Sequence, residues 1–133
     1  LDGDPATPPH RATPDYVTAE FDALAATFDA RLVDDLGYRG PALLHAAIGA
    51  AHHSATGHSP PVNQWTVVDF GAGTGLMGPL LAPWAASIHG IDLSPKMLAV
   101  AKEAKRGYDT LRVGDTTALL SNDEFGPGSV DLI

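Results

Sequence analysis

No cysteine occurs in the 133 residues, which removes disulfides, thiolate nucleophiles and thiolate metal ligands together. That fits a reducing compartment, and a cytoplasmic location is the expectation. Cations are scarce as well: eight Lys and Arg stand against sixteen Asp and Glu, for a net charge of −8. Tight binding of nucleic acid works by displacing phosphate counterions with Lys and Arg, so the overall balance gives no strong nucleic-acid signal. A local basic patch would still serve a nucleic-acid substrate. No apolar run is long enough to cross a bilayer, no secretory leader is expected, and no internal repeat is visible. The length allows one small core and is too short for two ordinary domains.

What is present concentrates in Trp65-Thr-Val-Val-Asp-Phe-Gly-Ala-Gly-Thr-Gly75. An apolar run from Trp65 to Val68 enters Asp69, and glycines follow at 71, 73 and 75. The order predicts a buried strand, a tight turn and a helix N-terminus, the arrangement by which a doubly wound α/β sheet holds a nucleotide-like ligand. Glycine suits such a turn because a side chain would block the ligand or demand a φ it cannot adopt. A phosphate-grasping P-loop is excluded: from Gly73 the count reaches Gly78, but Pro79 and Leu80 stand where Lys and Ser or Thr are needed. A dinucleotide fingerprint from Gly71 needs glycine at 76, where the chain has Leu76; the third glycine falls one residue early. A glycine-rich surface turn is the bland alternative, and the flanking strand and helix signals count against it.

Two further acidic residues follow in order. Ser87 to Ile91 reads as a second strand ending at Asp92, about twenty residues past the loop, where a carboxylate can accept both hydroxyls of a ribose. Ser94 then caps a helix with Pro95 at its first position. Leu111-Arg-Val-Gly-Asp115 is a third strand candidate. Gly-Asp alone is an ordinary turn, and a solvated strand end is the plain reading of Asp92. The order of loop, Asp92 and Asp115 at successive strand ends is what points to one ligand-binding edge.

Gly-x-Gly-x-Gly behind an acidic strand end, with Asp92-Leu-Ser-Pro-Lys-Met97-Leu, resembles class I S-adenosylmethionine-dependent methyltransferases. The segment Tyr16-Val…Phe21-Asp22…Phe28-Asp29…Leu36-Gly37-Tyr38-Arg39-x-Pro41 is similar to the region ahead of the core in a bacterial-type group that often carries tetratricopeptide repeats upstream. The likeness runs from about Asp15 to Ile133. Ala72 stands where that group commonly has Cys, a harmless change where the backbone makes the contact.

The resemblance implies S-adenosyl-L-methionine as cofactor and methyl transfer to an unidentified acceptor. It assigns Asp69, Gly71, Gly73 and Gly75 to the methionine and ribose portions, Asp92 to the ribose diol and Asp115 to the adenine. Ala72, Thr74, Leu93, Met97 and Thr116 complete the expected cofactor-binding set, although a helical methionine is ordinarily core. No catalytic residue is assigned, because in such folds the groups nearest the methyl follow the fourth strand. The rivals are an NAD(P)-dependent Rossmann oxidoreductase, whose ribose Asp92 would also suit, and a cofactor-binding fragment without catalytic activity.

The expected fold is α/β, a Rossmann-like doubly wound sheet of the class I methyltransferase type, truncated after about the fourth strand, with N-terminal helices packed on it. Residues 1–13 read as a proline-rich linker, 14–63 as a helical cap and loop, and 64–133 as the core. Both ends read as cut: the chain opens on Leu1, and Val130 to Ile133 looks like a strand beginning. A helix starts at Thr13-Pro14, with Val17, Phe21, Leu24, Phe28, Leu32 and Leu36 on one face, Asp22, Asp29, Arg31 and Asp34 mostly on the other, and Gly37 at its end. Tyr16, Phe21, Phe28 and Tyr38 lie over the cofactor as a lid or simply pack on the sheet. A second helix is expected from Pro41 to about Ala51 with Leu44 and Ile48 inward, a loop over 54–63, a helix from Leu76 to about Ala86 bent by Pro83, another from Lys96 to Arg106, and a helical turn from Thr116 to Leu120. His45, His52, His53 and His58 lack zinc-ligand spacing and partners, so no metal site is expected.

Overall fold

The computed structural model describes residues 11–121 and 125–133. Most of the expected linker, residues 1–10, lies outside the described residues; 11–13 are not helical. The elements run α1 (Pro14–Leu24), a π-helical turn (Ala30–Asp35), α2 (Gly40–Thr56), β1 (Trp65–Phe70), α3 (Gly78–Leu81), β2 (Ala85–Asp92), α4 (Pro95–Glu103), β3 (Thr110–Val113) and α5 (Thr116–Ser121).

The strands form a parallel sheet in the order β1-β2-β3, with Val67 opposite Ile88 and Asp92 opposite Val113. Residues 131–132 return to β1: the Val68 N–H donates to the Leu132 carbonyl, and Leu132 bridges Val67 in parallel. With β2 on one side of β1 and residues 131–132 on the other, the chain order reverses at β1. Open α/β sheets bind ligands in the crevice beyond the carboxyl ends of strands at such a reversal.

The core sits at the centre of the sheet, where Val67, Leu81 and Ile88 pack together, and α4 buries Met97, Leu98 and Ala101. Its start follows from Ser94, which accepts the Met97 N–H, and from Pro95, whose missing N–H costs nothing at the first helical position. At the amino end of β1, α2 is held by rings: His45 stacks on Trp84 at 4.1 Å, and His52 meets Trp65 edge-on.

Several expected boundaries are corrected. The helix predicted from Thr13 to Gly37 is broken after Leu24 by a turn at Ala25–Thr27, and Leu36 is 74% exposed. Here two carboxylates on the supposed solvent face, Asp22 and Asp29, are bonded to the core and override the simple period. The second helix runs to Thr56, five residues past expectation, because only Gly57 supplies the left-handed φ (+77°) that ends it. Its Ile48 packs on the core, but Leu44 is exposed. The helix predicted over Leu76 to Ala86 shrinks to Gly78–Leu81, since Pro83 has no N–H to continue it and Ala85 already joins the sheet. The α4 helix stops at Glu103; Lys105 has φ +50°, so Lys105 and Arg106 lie beyond its end.

Candidate functional site

The turn after β1 is built from its own backbone. Gly71, Gly73 and Gly75 all have positive φ, at 75°, 54° and 81°, a region costly for side-chain-bearing residues. Their reasons then diverge. A Cβ on Gly71 would meet nothing, and one on Gly73 only the Gly71 carbonyl oxygen at 3.9 Å, so both keep the backbone bare toward open space. A Cβ on Gly75 would stand 2.9 Å from the Tyr108 ring, and one on Gly78 would strike the Arg106 carbonyl oxygen and that same ring. Gly90 in β2 also lies against Tyr108. These three glycines house an aromatic ring beneath the loop.

Tyr108 uses that position to reach the strand end: its hydroxyl donates to Asp69 Oδ2 at 2.6 Å. Burial raises the Asp69 pKa above the ordinary carboxylate value, the Tyr108 hydrogen bond opposes the rise, and the nearby Asp92 charge adds to it. The phenol of Tyr108 is pushed upward as well, first by burial and then by the Asp69 charge.

Asp92 ties the two turns together. Its Oδ2 accepts the Gly73 N–H and its Oδ1 the Ser94 N–H, both at 2.8 Å, leaving each oxygen further acceptor capacity. Three more loop donors are engaged: the Gly71 and Ala72 N–H groups donate to the Ile91 carbonyl, and Gly75 N–H to that of Ala72. With the N–H groups of Gly71, Ala72, Gly73 and Gly75 taken and only a four-residue helix behind them, the loop differs from a pyrophosphate cradle, which turns a row of free N–H groups and a helix N-terminus to its ligand.

Beyond the strand ends lies a cavity of about 400 Å³. Of the sequence-predicted set, Asp69, Gly71, Ala72, Gly73, Thr74, Asp92, Leu93, Met97 and Thr116 line it. Gly75 does not, being turned to Tyr108, and neither does Asp115, whose Oδ1 accepts the Thr117 N–H at the start of α5. The opposite wall is apolar: Val17, Phe21, Phe28, Tyr38, Pro41, Leu76 and Met77, with Phe70 beside the loop. Tyr16 is exposed and off the lining. Asp69 and Asp92 are the charged side chains of the lining, and no Lys, Arg or His is among its described residues.

Three residues escaped sequence reasoning. Asp22 Oδ1 accepts the Ser94 hydroxyl; Ser94 is fully buried, and the Lys96 N–H reaches the same oxygen at 3.3 Å. Asp29 accepts the hydroxyl of buried Thr74 on Oδ1 and Arg106 Nη2 on Oδ2, the latter at 2.8 Å. The available signal was the repeat Phe21-Asp22 and Phe28-Asp29, seven residues apart. Tyr108 gave no local signal, because the glycines that house it come from three separate segments.

Comparison with solved structures places this architecture. Magnesium protoporphyrin IX methyltransferase from Synechocystis PCC 6803 with bound SAH aligns over 77% of this chain and 52% of that one, at 20% identity and TM-score 0.57. The same enzyme with bound SAM gives 82%, 57%, 21% and 0.56, and a DhpI-SAM-HEP complex gives 80%, 45%, 20% and 0.53. The chain therefore spans about half the length of these structures. The likeness is one of fold: α/β, Rossmann-like, of the class I methyltransferase type. No curated protein matches the chain. The profile described as a methyltransferase domain matches residues 67–133, just over half of the chain.

Proposed function

The chain belongs to the methyltransferase-domain family, and from that premise we propose that it binds S-adenosyl-L-methionine in the cavity beyond β1 and β2 and serves methyl transfer to an acceptor. The observation that carries this is the charge of the lining: two carboxylates, no cation among its described residues, and the N–H groups of Gly71, Ala72, Gly73 and Gly75 bonded within the protein. A ligand with a sulfonium and an ammonium suits that lining, and an anionic pyrophosphate does not. This speaks against the NAD(P)-dependent rival.

In this proposal Gly71 and Gly73 let the ligand lie on bare backbone, with Ala72 and Thr74 between them. Asp69 offers its half-buried carboxylate to the cationic end. Asp92 accepts from the ribose hydroxyls with the capacity its two backbone bonds leave, and Leu93, Met97 and Thr116 flank the nucleoside. Asp115 stands off the cavity lining but, with the Thr117 N–H bonded to its Oδ1, keeps acceptor capacity for the adenine amino group; Gly75 acts through Tyr108 instead of touching the ligand. Bound there, the cofactor supplies a methyl already activated for in-line displacement. The residues around it hold it in place and exclude water.

Residues 14–63 act as a cap and 64–133 as the cofactor-binding core. The resemblance of 16–41 further suggests an upstream tetratricopeptide-repeat unit in the parent protein, and the lack of cysteine fits a cytoplasmic setting. Among the described residues no helix is long and apolar enough to cross a membrane. Thermal melts with S-adenosylhomocysteine and with NADH test the reading: stabilisation by the former is expected, and stabilisation by NADH alone overturns it.

A further inference from the structure

The repeated Phe-Asp pair divides its labour. Phe21 and Phe28 meet edge-to-face at 6.5 Å and both line the cavity wall. The carboxylate next to each ring reaches a different turn of the core. Asp22 binds the turn that opens α4, through the Ser94 hydroxyl and the Lys96 N–H. Asp29 binds the glycine loop through Thr74, and Arg106 behind it. Thr18 adds a bond from its hydroxyl to the Leu93 carbonyl at 3.4 Å. Between the two clasps the chain runs through the end of α1 and the turn at Ala25–Thr27.

Both bonded hydroxyls are buried, Thr74 at 1% exposure and Ser94 at 0%. Each depends on its aspartate as acceptor, because an unsatisfied buried hydroxyl is costly. Opening the segment therefore breaks charged hydrogen bonds at both turns and removes the aromatic wall at the same time. We propose that Asp22 and Asp29 are positioning residues whose two clasps hold the Phe21–Phe28 wall over the cavity and so limit the escape of its ligand. The ligand in this statement rests on the cofactor reading above; the clasps do not.

Their chemistry differs in a way that a substitution can read. Asp22 makes both of its bonds through one oxygen, so Asp22→Asn keeps the acceptor. Asp29 uses both oxygens, so Asp29→Asn must present an NH₂ to either Thr74 or the Arg106 guanidinium. Two rates are measured on the same variants: S-adenosylhomocysteine dissociation by surface plasmon resonance, and subtilisin cleavage at Ala25–Thr27 without ligand, with far-UV circular dichroism as the check on folding.

Asp22→Asn is expected within about twofold of the parent in both rates, while Asp29→Asn accelerates both by about tenfold, the size of one charged hydrogen bond lost, and Asp22→Leu, which loses both of its bonds, by about tenfold or more. Arg106→Gln, which leaves Asp29 in place, moves both rates in the same direction by a smaller factor. Equal behaviour of Asp22→Asn and Asp29→Asn, or unchanged rates in Asp22→Leu and Asp29→Asn, overturns the proposal. Failure of the parent protein to bind S-adenosylhomocysteine overturns the cofactor reading instead, and the cleavage rates then decide the clasps alone.

Discussion

Tyr108 reaches Asp69 through space cleared by Gly75, Gly78 and Gly90, and its hydroxyl is what keeps the pKa of that half-buried carboxylate from rising further. Removing the hydroxyl in Tyr108→Phe leaves the ring to fill the space and shifts Asp69 toward neutrality. The ammonium of the ligand favours the ionised carboxylate, so affinity falls as pH drops through the raised Asp69 value. Titration calorimetry of S-adenosylhomocysteine across pH is expected to show that fall at higher pH in Tyr108→Phe than in the parent. The same carboxylate affects stability in the unliganded protein. Its folded pKa is raised above its ordinary 3.8, so the folded state holds the proton more strongly. Its contribution to stability is thus full below that value and lost as pH rises through the raised one. Relative to Asp69→Asn, the parent is expected to gain in urea stability as pH is lowered from neutral toward 4.

Among the elements, the glycine loop separates backbone strain from crowding. Gly73→Ala places a side chain at φ +54° with space around it, and is expected to cost about 1–2 kcal/mol in urea unfolding, the strain of a left-handed non-glycine residue. Gly75→Ala adds a clash with Tyr108, Ala101 and Arg106 at 2.9–3.1 Å and is expected to cost clearly more. A larger loss for Gly73→Ala would contradict the division. The three strands and the capped start of α4 were legible because each is written in adjacent residues: an apolar run ending in Asp, or Ser-Pro. The α1 region was not, since its 3.6-residue period put Asp22 and Asp29 on a face that only the folded core shows to be occupied. The short α3 was hidden for a similar reason: its apolar residues fit a longer helix, while β2 claims Ala85 for the sheet. Of the site, the glycine turn and the place of Asp92 at its strand end were readable from spacing, while Asp115 stands off the cavity lining with its Oδ1 taking the Thr117 N–H, a local bond that spacing does not show.

For the molecule as a whole, sheet, turns and N-terminal segment form one ligand-linked unit. The cavity draws its floor from the sheet edge and its wall from residues 17–41, so a bound ligand stabilises both together. At a hundredfold excess over its dissociation constant, a ligand specific for the folded state adds about 2.7 kcal/mol. The central claim is that this carboxylate-lined cavity takes an adenosyl amino acid. Isothermal titration calorimetry of S-adenosylhomocysteine into the folded protein tests it most directly. The account predicts saturable binding to one site per chain, weakened about tenfold or more in Asp92→Ala, where the ribose acceptor and the tie to Gly73 are lost together. Absence of binding heat at several temperatures, with circular dichroism showing a folded chain, would contradict it.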